Sequence, residues 1–385
     1  MLTTLAVSSY RSLLNFYVEL GQLNVISGPN GSGKSNIYRA LRLLAESANG
    51  RLISCIAAEG GLPSAHWAGP EAKSASSPEP MPQGSMRKSP KRVQLGFASD
   101  DYTYSVDLGL ATPSGSAFAL DPIIKRECVW LGSKQVGAKL CADRHGSIVK
   151  CRNRDGKWVE ITSNIAPYEG LMSRYADPLE TPELVLLRDQ MLRWRFYDYL
   201  RTDPGAPARQ MQIGTRTPFM AHDGSNVAAA LQTIRESGRD DLLAEAIDTA
   251  FPGSELLIHS SQGRFEVQMS QPGMDRALSV AELSEGTLRY LMLVAALLAA
   301  NPPELLVLNE PETHLHPDLV PALAKLIENC SKFTQIIVVT HSNALATDLR
   351  GARDSLHLAI DKEQGSTIAV DGDELSRPPW KWPAR

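Results

Sequence analysis

The stretch Gly28-Pro-Asn-Gly-Ser-Gly-Lys34-Ser35 decides the fold of this chain. It follows the apolar run "LNVISG" and precedes a segment whose apolar residues have helical spacing, namely Ile37, Ala40, Leu41 and Leu44. A buried strand, a glycine loop and a helix start form the context of a phosphate-binding loop, and the spacing matches G-x-x-x-x-G-K-[ST]. Glycines let successive backbone N–H groups point inward, and the helix N-terminus adds partial positive charge.

This loop predicts a nucleotide site. In such a loop the lysine, here Lys34, reaches the β- and γ-phosphates, and the Ser35 hydroxyl ligates Mg²⁺. The alternative is a glycine turn with a purely structural role. The predicted nucleotide-binding residues of the loop are Gly28, Asn30, Gly31, Ser32, Gly33, Lys34, Ser35 and Asn36.

A second motif, "ELLVLNEPETHLHP", covers residues 304–317. Its near-continuous apolar run is typical of a parallel strand buried on both faces. A carboxylate at the end of such a strand, near a phosphate loop, is the usual place for magnesium and for groups that activate water. Glu310 is therefore predicted to polarise the water that attacks the γ-phosphate, against the alternative of an acidic strand end facing solvent. Glu312 is left open between a structural and a catalytic role.

Two weaker motifs complete the set. In "LSEGTLRY", Ser284 and Gly286 would expose a hydroxyl and N–H groups at a helix start, which is a second phosphate-binding geometry. Serine is also simply a good N-cap. In "IIVVTHSN", His341 ends a buried strand, where it would hydrogen-bond a γ-phosphate and sense its loss, or serve as a structural histidine.

Composition restricts the class of protein. The chain has 385 residues, of which 43% are hydrophobic and 21% charged, so a wholly disordered chain is excluded. The net charge of −4 does not demand nucleic acid or an anionic membrane, although a local basic face stays open. Five scattered cysteines without a C-x-x-C pair argue against a disulfide scaffold or structural zinc and favour a reducing, cytoplasmic setting.

The sequence predicts a soluble protein without a membrane partner, or at most a peripheral one. The N-terminus lacks the basic and continuous apolar regions of a signal peptide. The longest apolar stretch, residues 291–300, is about half of the roughly 20 residues that span a bilayer.

The middle of the chain is less specific. Residues 60–92 are rich in proline and end in Arg87, Lys88, Lys91 and Arg92, which predicts a mobile surface loop or, alternatively, an arm that contacts a polyanion. Residues 93–162 predict antiparallel strands separated by turns at "SDD", "TPSGS", "DRHGS" and "NRDGK". Residues 165–250 predict helices, one of them capped by Asp240, which are interrupted by loops such as "RTDPGAPARQMQIGTRTP". No heptad run is long enough for a coiled coil.

The four motifs, in this order, resemble the Walker A loop, signature motif, Walker B strand and histidine switch of the ABC-type ATPase head. Within that superfamily the opening "LAVSSYRSLLNFYVELGQLNVISGPNGSGKSNIYRAL" is similar to the RecF/SMC branch. "EPETHLHP", "RWRFYDYLRTDPGAPAR" and "GTRTP" resemble bacterial single-chain predicted ATPases related to the overcoming-lysogenization-defect (OLD) proteins. The resemblance is specific over residues 1–50 and 280–361.

The resemblance implies an α/β P-loop NTPase fold with an antiparallel β subdomain and an inserted helical subdomain. It implies ATP and Mg²⁺ as cofactors, and a homodimer in which Ser284 and Gly286 of one copy close on the γ-phosphate held by Lys34 of the other. Glu310, His341 and Lys34 would then be the catalytic residues. Arg11 aligns with the arginine of the N-terminal motif of this branch, where it would approach the nucleotide or remain a surface residue.

Two departures from the family pattern qualify this reading. Asn309 occupies the Walker B aspartate position and is expected to hold a magnesium-bound water without the charge that favours the cation. His316 stands where transporters and SMC proteins carry an aspartate, which makes a transporter subunit the least favoured alternative.

The resulting prediction is a single elaborated ATPase. Residues 1–162 and 254–385 would be two lobes of one head, and residues 165–250 a helical insertion. The predicted function is an ATP-driven switch in DNA repair, DNA maintenance or phage defence, with double-stranded DNA or a DNA-processing protein as partner. The alternative is a low-turnover scaffold that uses ATP to recruit a nuclease or toxin.

Overall fold

The computed structural model describes residues 1–69, 91–111, 117–370 and 378–384. The strands in chain order are β1 Leu2–Tyr10, β2 Leu13–Glu19, β3 Leu23–Ser27, β4 Arg92–Ser99, β5 Tyr102–Leu110, β6 Pro122–Leu131, β7 Leu140–His145, β8 Ile148–Arg152, β9 Trp158–Thr162, β10 Arg195–Tyr197, β11 Gln212–Ile213, β12 Glu255–Ser261, β13 Arg264–Ser270, β14 Leu278–Ser279, β15 Leu305–Asn309, β16 Gln335–Thr340, β17 Ser355–Glu363 and β18 Ser366–Ala369. The α-helices are α1 Lys34–Ala48, α2 Leu52–Ala58, α3 Leu62–Ala65, α4 Leu171–Tyr175, α5 Pro182–Leu192, α6 Val227–Ile234, α7 Asp240–Ala250, α8 Glu285–Leu297, α9 Val320–Ser331 and α10 Asn343–Arg350.

The chain forms two compact units, each discontinuous in sequence. The first unit consists of Met1, Gly21–Asn30 and Arg193–Ala359. The second consists of Leu2–Leu20, Gly31–Leu192 and Ile360–Arg385. The boundary therefore falls inside the glycine loop, after Asn30.

A parallel sheet organises the first unit, with strand order β10-β15-β16-β3-β17. The central strands carry mostly buried apolar side chains, with polar residues mainly at the strand ends, as expected where helices cover both faces. Helices α8 and α9 bury most of their side chains in the same hydrophobic core. A smaller antiparallel sheet, β11-β13-β12 with β14 on β13, joins this core through Leu256, Val267 and Met269.

The register of the parallel sheet brings three strand ends to one edge. Ser27 of β3 lies opposite Thr340 of β16, and Asn309 of β15 lies opposite Val339. Because parallel strands point the same way, the segments that follow β3, β15 and β16 all leave the sheet at this edge. Such an edge is where open α/β sheets bind ligands.

The second unit contains an antiparallel sheet of order β2-β1-β4-β5-β6-β7-β8-β9. Helix α1 belongs to this unit and buries one continuous apolar face, which includes Ile37, Ala40, Leu41 and Leu44 as the sequence spacing predicts. The last part of β17, from Ile360 onward, pairs with β18 to form a hairpin in the same unit.

Some predicted elements differ from the structure. The predicted turn "DRHGS" begins inside β7, which ends at His145, so the turn is shorter than predicted. The stretch 165–250, predicted to be helices interrupted by loops, contains β10 and also β11, which lies within a predicted loop. It is divided between the two units after Leu192. Asp240 is the first residue of α7 rather than its cap; the cap position is Arg239. The predicted turn "TPSGS" lies outside the described residues.

The proline-rich stretch 60–92 is described only at its two ends. Its beginning contains helix α3, where Pro63 occupies the first turn, a position that tolerates proline. At its end Arg92 begins β4 and forms an ion pair with Asp107 at 2.6 Å. Arg87 and Lys88 lie outside the described residues, so the predicted mobile loop and polyanion-contacting arm stay predictions.

Candidate functional site

The glycine loop runs directly into the N-terminus of α1. Gly31 and Gly33 have φ values of 81° and 105°, in the left-handed region that favours glycine. Gly33 occupies the N-cap position, and because it has no side chain, none caps the helix. The N-terminus of α1 is thus of the kind that binds anions, and the first turn, which begins Lys34-Ser35-Asn36, contains no carboxylate.

In the first unit, the beginning of the loop and the carboxylate motif leave the same edge of the parallel sheet. Gly28 follows β3, and Glu310 follows β15. The Glu310 amide donates to the Val339 carbonyl oxygen at 2.7 Å, which extends the sheet pairing by one residue. His341 follows β16 at the same edge.

Glu310 and His341 approach each other. The distance from Glu310 Oε1 to His341 Nδ1 is 3.4 Å, and 37% and 47% of the respective side chains are exposed. Glu310 also has a φ of 49°, a left-handed conformation that is costly for a residue with a Cβ. Such strain persists where the surroundings impose it, and it is commonly found at functional sites. An accessible carboxylate beside an imidazole has the composition of a site for proton transfer.

Glu312, whose role the sequence left open, is a buried structural tether. Its Oε1 accepts hydrogen bonds from the Thr340 hydroxyl and from the Ser342 amide, the latter at 3.2 Å. The same oxygen lies 3.7 Å from His341 Nδ1. The residue is 7% exposed, so its carboxylate fixes the turn that carries His341.

Glu312→Ala is expected to lower the free energy of unfolding by about 1–3 kcal/mol, because Thr340 and Ser342 lose a buried acceptor. Urea denaturation followed by circular dichroism measures this change. Glu312→Gln retains an acceptor oxygen and serves as the control, with a smaller loss. Equal midpoints for wild type and Glu312→Ala would contradict the tether.

Asn309 offers an oxygen for a cation. Its Oδ1 atom is buried and makes no hydrogen bond within the part of the chain that the structure describes. Mg²⁺ prefers oxygen ligands and keeps several waters and phosphate oxygens, so one amide and one hydroxyl from the protein suffice. The donor chemistry of Asn309 and Ser35 fits that requirement. Among the described residues there is no cluster of three or more His, Cys, Asp or Glu side chains that would hold a metal without nucleotide.

Ser284 and Gly286 lie at the start of α8, as predicted. Ser284 is the N-cap, and its Oγ accepts from the Thr287 amide at 3.1 Å. The side chain of Ser284 is exposed. A Cβ on Gly286 would lie 3.2 Å from the His314 carbonyl oxygen, so a glycine allows the helix to approach the segment after Glu310.

The sequence did not single out Arg289, which the structure places at the centre of this region. It is 4% exposed and donates to the carbonyl oxygens of Leu200, at 3.1 Å, and Glu310, at 3.1 Å. Burial lowers the pKa of the guanidinium, which nevertheless stays charged. In the sequence, this position is marked only by a charged residue within a mostly apolar helix. Arg289 therefore connects helix α8 to the backbone of Glu310.

A cleft of about 360 Å³ opens beside Glu310. Its walls come from the segment Asp198–Asp203, from Glu285 and Arg289 of α8, and from Asn309. The sequence did not predict β10, which precedes this segment, and did not indicate that the segment lines a cleft. The cleft gives solvent and small ligands access to the Glu310 carboxylate.

Arg11 is engaged within the second unit. Its Nη2 and Nε atoms lie 2.7 and 3.0 Å from Glu59 Oε2, and its φ is 50°. Tyr10 donates to the same carboxylate at 2.9 Å, and burial together with Glu59 raises the Tyr10 pKa. The structure thus places Arg11 in an ion pair, with 26% of its side chain exposed.

Comparison with solved structures identifies the fold. One SMC head, solved bound to the C-winged helix domain of ScpA, is 14% identical with a TM-score of 0.50 and covers 96% of this chain and 97% of that chain. The SMC head from Thermotoga maritima is 17% identical, with a TM-score of 0.48, and covers 96% and 99%. An SMC head derived from Pyrococcus furiosus is 14% identical, with a TM-score of 0.47, and covers 96% and 95%. The predicted P-loop NTPase fold of the SMC/RecF type is confirmed.

A family model described as "AAA domain, putative AbiEii toxin, Type IV TA system" matches residues 23–348. The chain belongs to this AAA-domain family, whose fold is that of nucleotide-binding ATPases. No curated protein sequence matches the chain at a significant level. None of the helices in the described ranges is long and apolar enough to cross a membrane.

Proposed function

We propose that the protein is an ATP-binding and ATP-hydrolysing molecular switch. The observation that carries this proposal is the shared sheet edge at which β3 leads into the glycine loop, β15 into Glu310 and β16 into His341. Membership of the AAA-domain family supports the same reading.

Each residue has a defined task in this proposal. The amides of Gly31–Ser35 and the Lys34 ammonium bind the phosphates, and the Ser35 hydroxyl and Asn309 amide hold Mg²⁺. When bound, the metal ion neutralises charge that develops on the phosphate oxygens. Glu310 accepts the proton of the attacking water, and His341 hydrogen-bonds the γ-phosphate oxygen and reports its loss.

Glu310 is suited to the base role by its environment. It is accessible from the cleft, while Arg289 fixes its carbonyl oxygen and the Val339 pairing fixes its amide. The position of its carboxylate can therefore change mainly through rotation about the side-chain torsions. Such positioning of a base is a large part of its catalytic value.

We further propose that ATP joins two copies of the chain. Ser284 lies exposed at the N-terminus of α8, so its hydroxyl and the nearby amides can face an anion held by a second copy. The dimer would form with ATP and separate after hydrolysis, because the contacts exist only with the γ-phosphate present.

Ser284→Arg is expected to abolish the ATP-dependent doubling of mass, since a bulky cation would occupy the place of the γ-phosphate contact. Light scattering with and without MgATP, in a Glu310→Gln background that slows turnover, measures this effect. Ser260→Arg, an exposed serine on β12, is the control and should leave dimerisation intact. Equal masses with and without ATP in the parent protein would refute the sandwich mechanism.

A second candidate function rests on Asn309. An amide lacks the charge that favours Mg²⁺, which suggests slow hydrolysis and an ATP-held scaffold that recruits a nuclease or toxin. The family description, which names a toxin and a toxin–antitoxin system, bears on this alternative. Turnover in the range of about 1–10³ s⁻¹ would reject the pure scaffold.

The biological setting proposed is DNA repair, DNA maintenance or phage defence, in the cytoplasm. A gel shift of double-stranded DNA with ATP-loaded protein, repeated at several salt concentrations, tests the DNA part. Electrostatic attraction to DNA is strongest at low salt, and the net charge of −4 does not favour it. If the protein does not bind DNA even at low salt, direct DNA contact is removed from the proposal.

A further inference from the structure

A series of three hydrogen bonds, two of them partly buried and one buried, supports the phosphate loop in the second unit. Asn36 Nδ2 lies 2.8 Å from Ser12 Oγ, Ser12 Oγ lies 2.7 Å from Thr367 Oγ1, and Thr367 Oγ1 lies 2.7 Å from the Ser32 carbonyl oxygen. The Thr367 amide also donates to the Ser12 carbonyl oxygen at 2.8 Å. Thr367 and Ser32 are 4% and 1% exposed.

The direction of this chain is fixed by its ends. The Ser32 carbonyl oxygen can only accept, so the single Thr367 hydroxyl hydrogen points to it. Ser12 must then donate to Thr367 Oγ1, which leaves its own oxygen to accept from the Asn36 amide. Each of the three hydrogen bonds that join Asn36, Ser12, Thr367 and Ser32 therefore has a defined donor and acceptor, and connected hydrogen bonds of this kind rigidify their surroundings.

The series holds the loop on both sides of Lys34. Ser32 precedes Lys34 by two residues, and Asn36 follows it by two. Between them, a Cβ on Gly33 would collide with Thr367 Oγ1 and Ser12 Oγ, so these hydroxyls fill the space under the loop. The residues that support the loop come from the β1–β2 turn and from the β17–β18 hairpin.

We propose that Thr367 is a positioning residue for phosphate binding, which makes the β17–β18 hairpin part of the nucleotide site. This inference rests on the proposed function and extends it. Thr367 touches no phosphate; it holds the Ser32 peptide so that the following amides of the loop face the ligand. A loop held in its bound conformation binds more tightly, because less ordering accompanies binding.

Thr367→Val tests this proposal, because valine keeps the shape of threonine and removes its hydroxyl. The Kd for MgATP, measured by isothermal titration calorimetry, is expected to rise about five- to tenfold, the range of one hydrogen bond. The kcat at saturating ATP should stay within about twofold, since no catalytic group has moved. Thr367→Ser retains the hydroxyl and should restore the wild-type Kd. Ser366→Ala, in the same strand, should leave the Kd unchanged.

Hydrogen exchange of the amides at 31–36, without nucleotide, separates this proposal from the proposed function. Faster exchange in Thr367→Val, but not in Thr367→Ser, supports the positioning of the loop by Thr367, even if the wild type fails to bind ATP. A second outcome is that the wild type binds ATP, Lys34→Ala does not, and Thr367→Val has an unchanged Kd. This outcome would support ATP binding at the loop and overturn the positioning role of Thr367. Unchanged exchange in Thr367→Val would also overturn the positioning role, as would a Thr367→Ser variant that binds MgATP as weakly as Thr367→Val.

Discussion

Lys34→Ala is expected to weaken MgATP binding at least about a hundredfold. Lys34 is the cation of the phosphate loop, and hydrogen bonds to charged groups are stronger than neutral ones, so its loss removes both a charge and a donor. A factor of a hundred corresponds to about 2.7 kcal/mol. Isothermal titration calorimetry with MgATP measures the change.

Lys150→Ala is the matched control for Lys34→Ala. Lys150 is an exposed lysine on β8 and lies far along the sequence from the loop. Because Lys34 is buried, thermal unfolding of the variant must show that it still folds. A folded Lys34→Ala protein with unchanged affinity would remove the phosphate loop from the nucleotide site.

Glu310→Gln is expected to slow ATP hydrolysis by about 10²–10³-fold while the Kd for MgATP changes by less than about threefold. General-base catalysis typically contributes this magnitude, and glutamine preserves the size of the side chain without its basicity. Phosphate release at saturating MgATP gives kcat. A loss of rate without a loss of affinity is the signature of an interaction made in the transition state.

Glu304→Gln provides the comparison for Glu310→Gln. Glu304 lies at the other end of the same strand, and its side chain is 39% exposed, close to the 37% of Glu310. Its replacement should leave kcat within about twofold. If both variants hydrolyse ATP at the wild-type rate, another group activates the water.

The sequence was sufficient for the features that local patterns encode. The spacing around Ile37 predicts α1, and the apolar run ending at Asn309 predicts β15, because burial on a helix face or in a parallel sheet leaves a periodic or continuous record. The phosphate loop was predictable for the same reason, since its glycines reflect backbone geometry within a few residues.

Features made by long-range contacts were not predictable. Arg289 donates to the carbonyl oxygen of Leu200, 89 residues away, and Thr367 to that of Ser32, 335 residues away. Carbonyl acceptors are present at every residue, so no residue type marks such partners. β10 was missed because three residues are too few to show alternation, and its pairing with β15 decides its conformation.

The position of β3 in the parallel sheet has a consequence for biosynthesis. This strand lies between β16 and β17, and Asn24 donates to the carbonyl oxygen of Ile336, 312 residues later. During translation, the strand that carries the phosphate loop therefore cannot pair with its neighbouring strands until most of the chain has been synthesised. Such late pairing slows folding and leaves an apolar strand exposed to aggregation. A chain terminated before β16 would lack both flanking strands, so it could not assemble the sheet edge from which the loop departs.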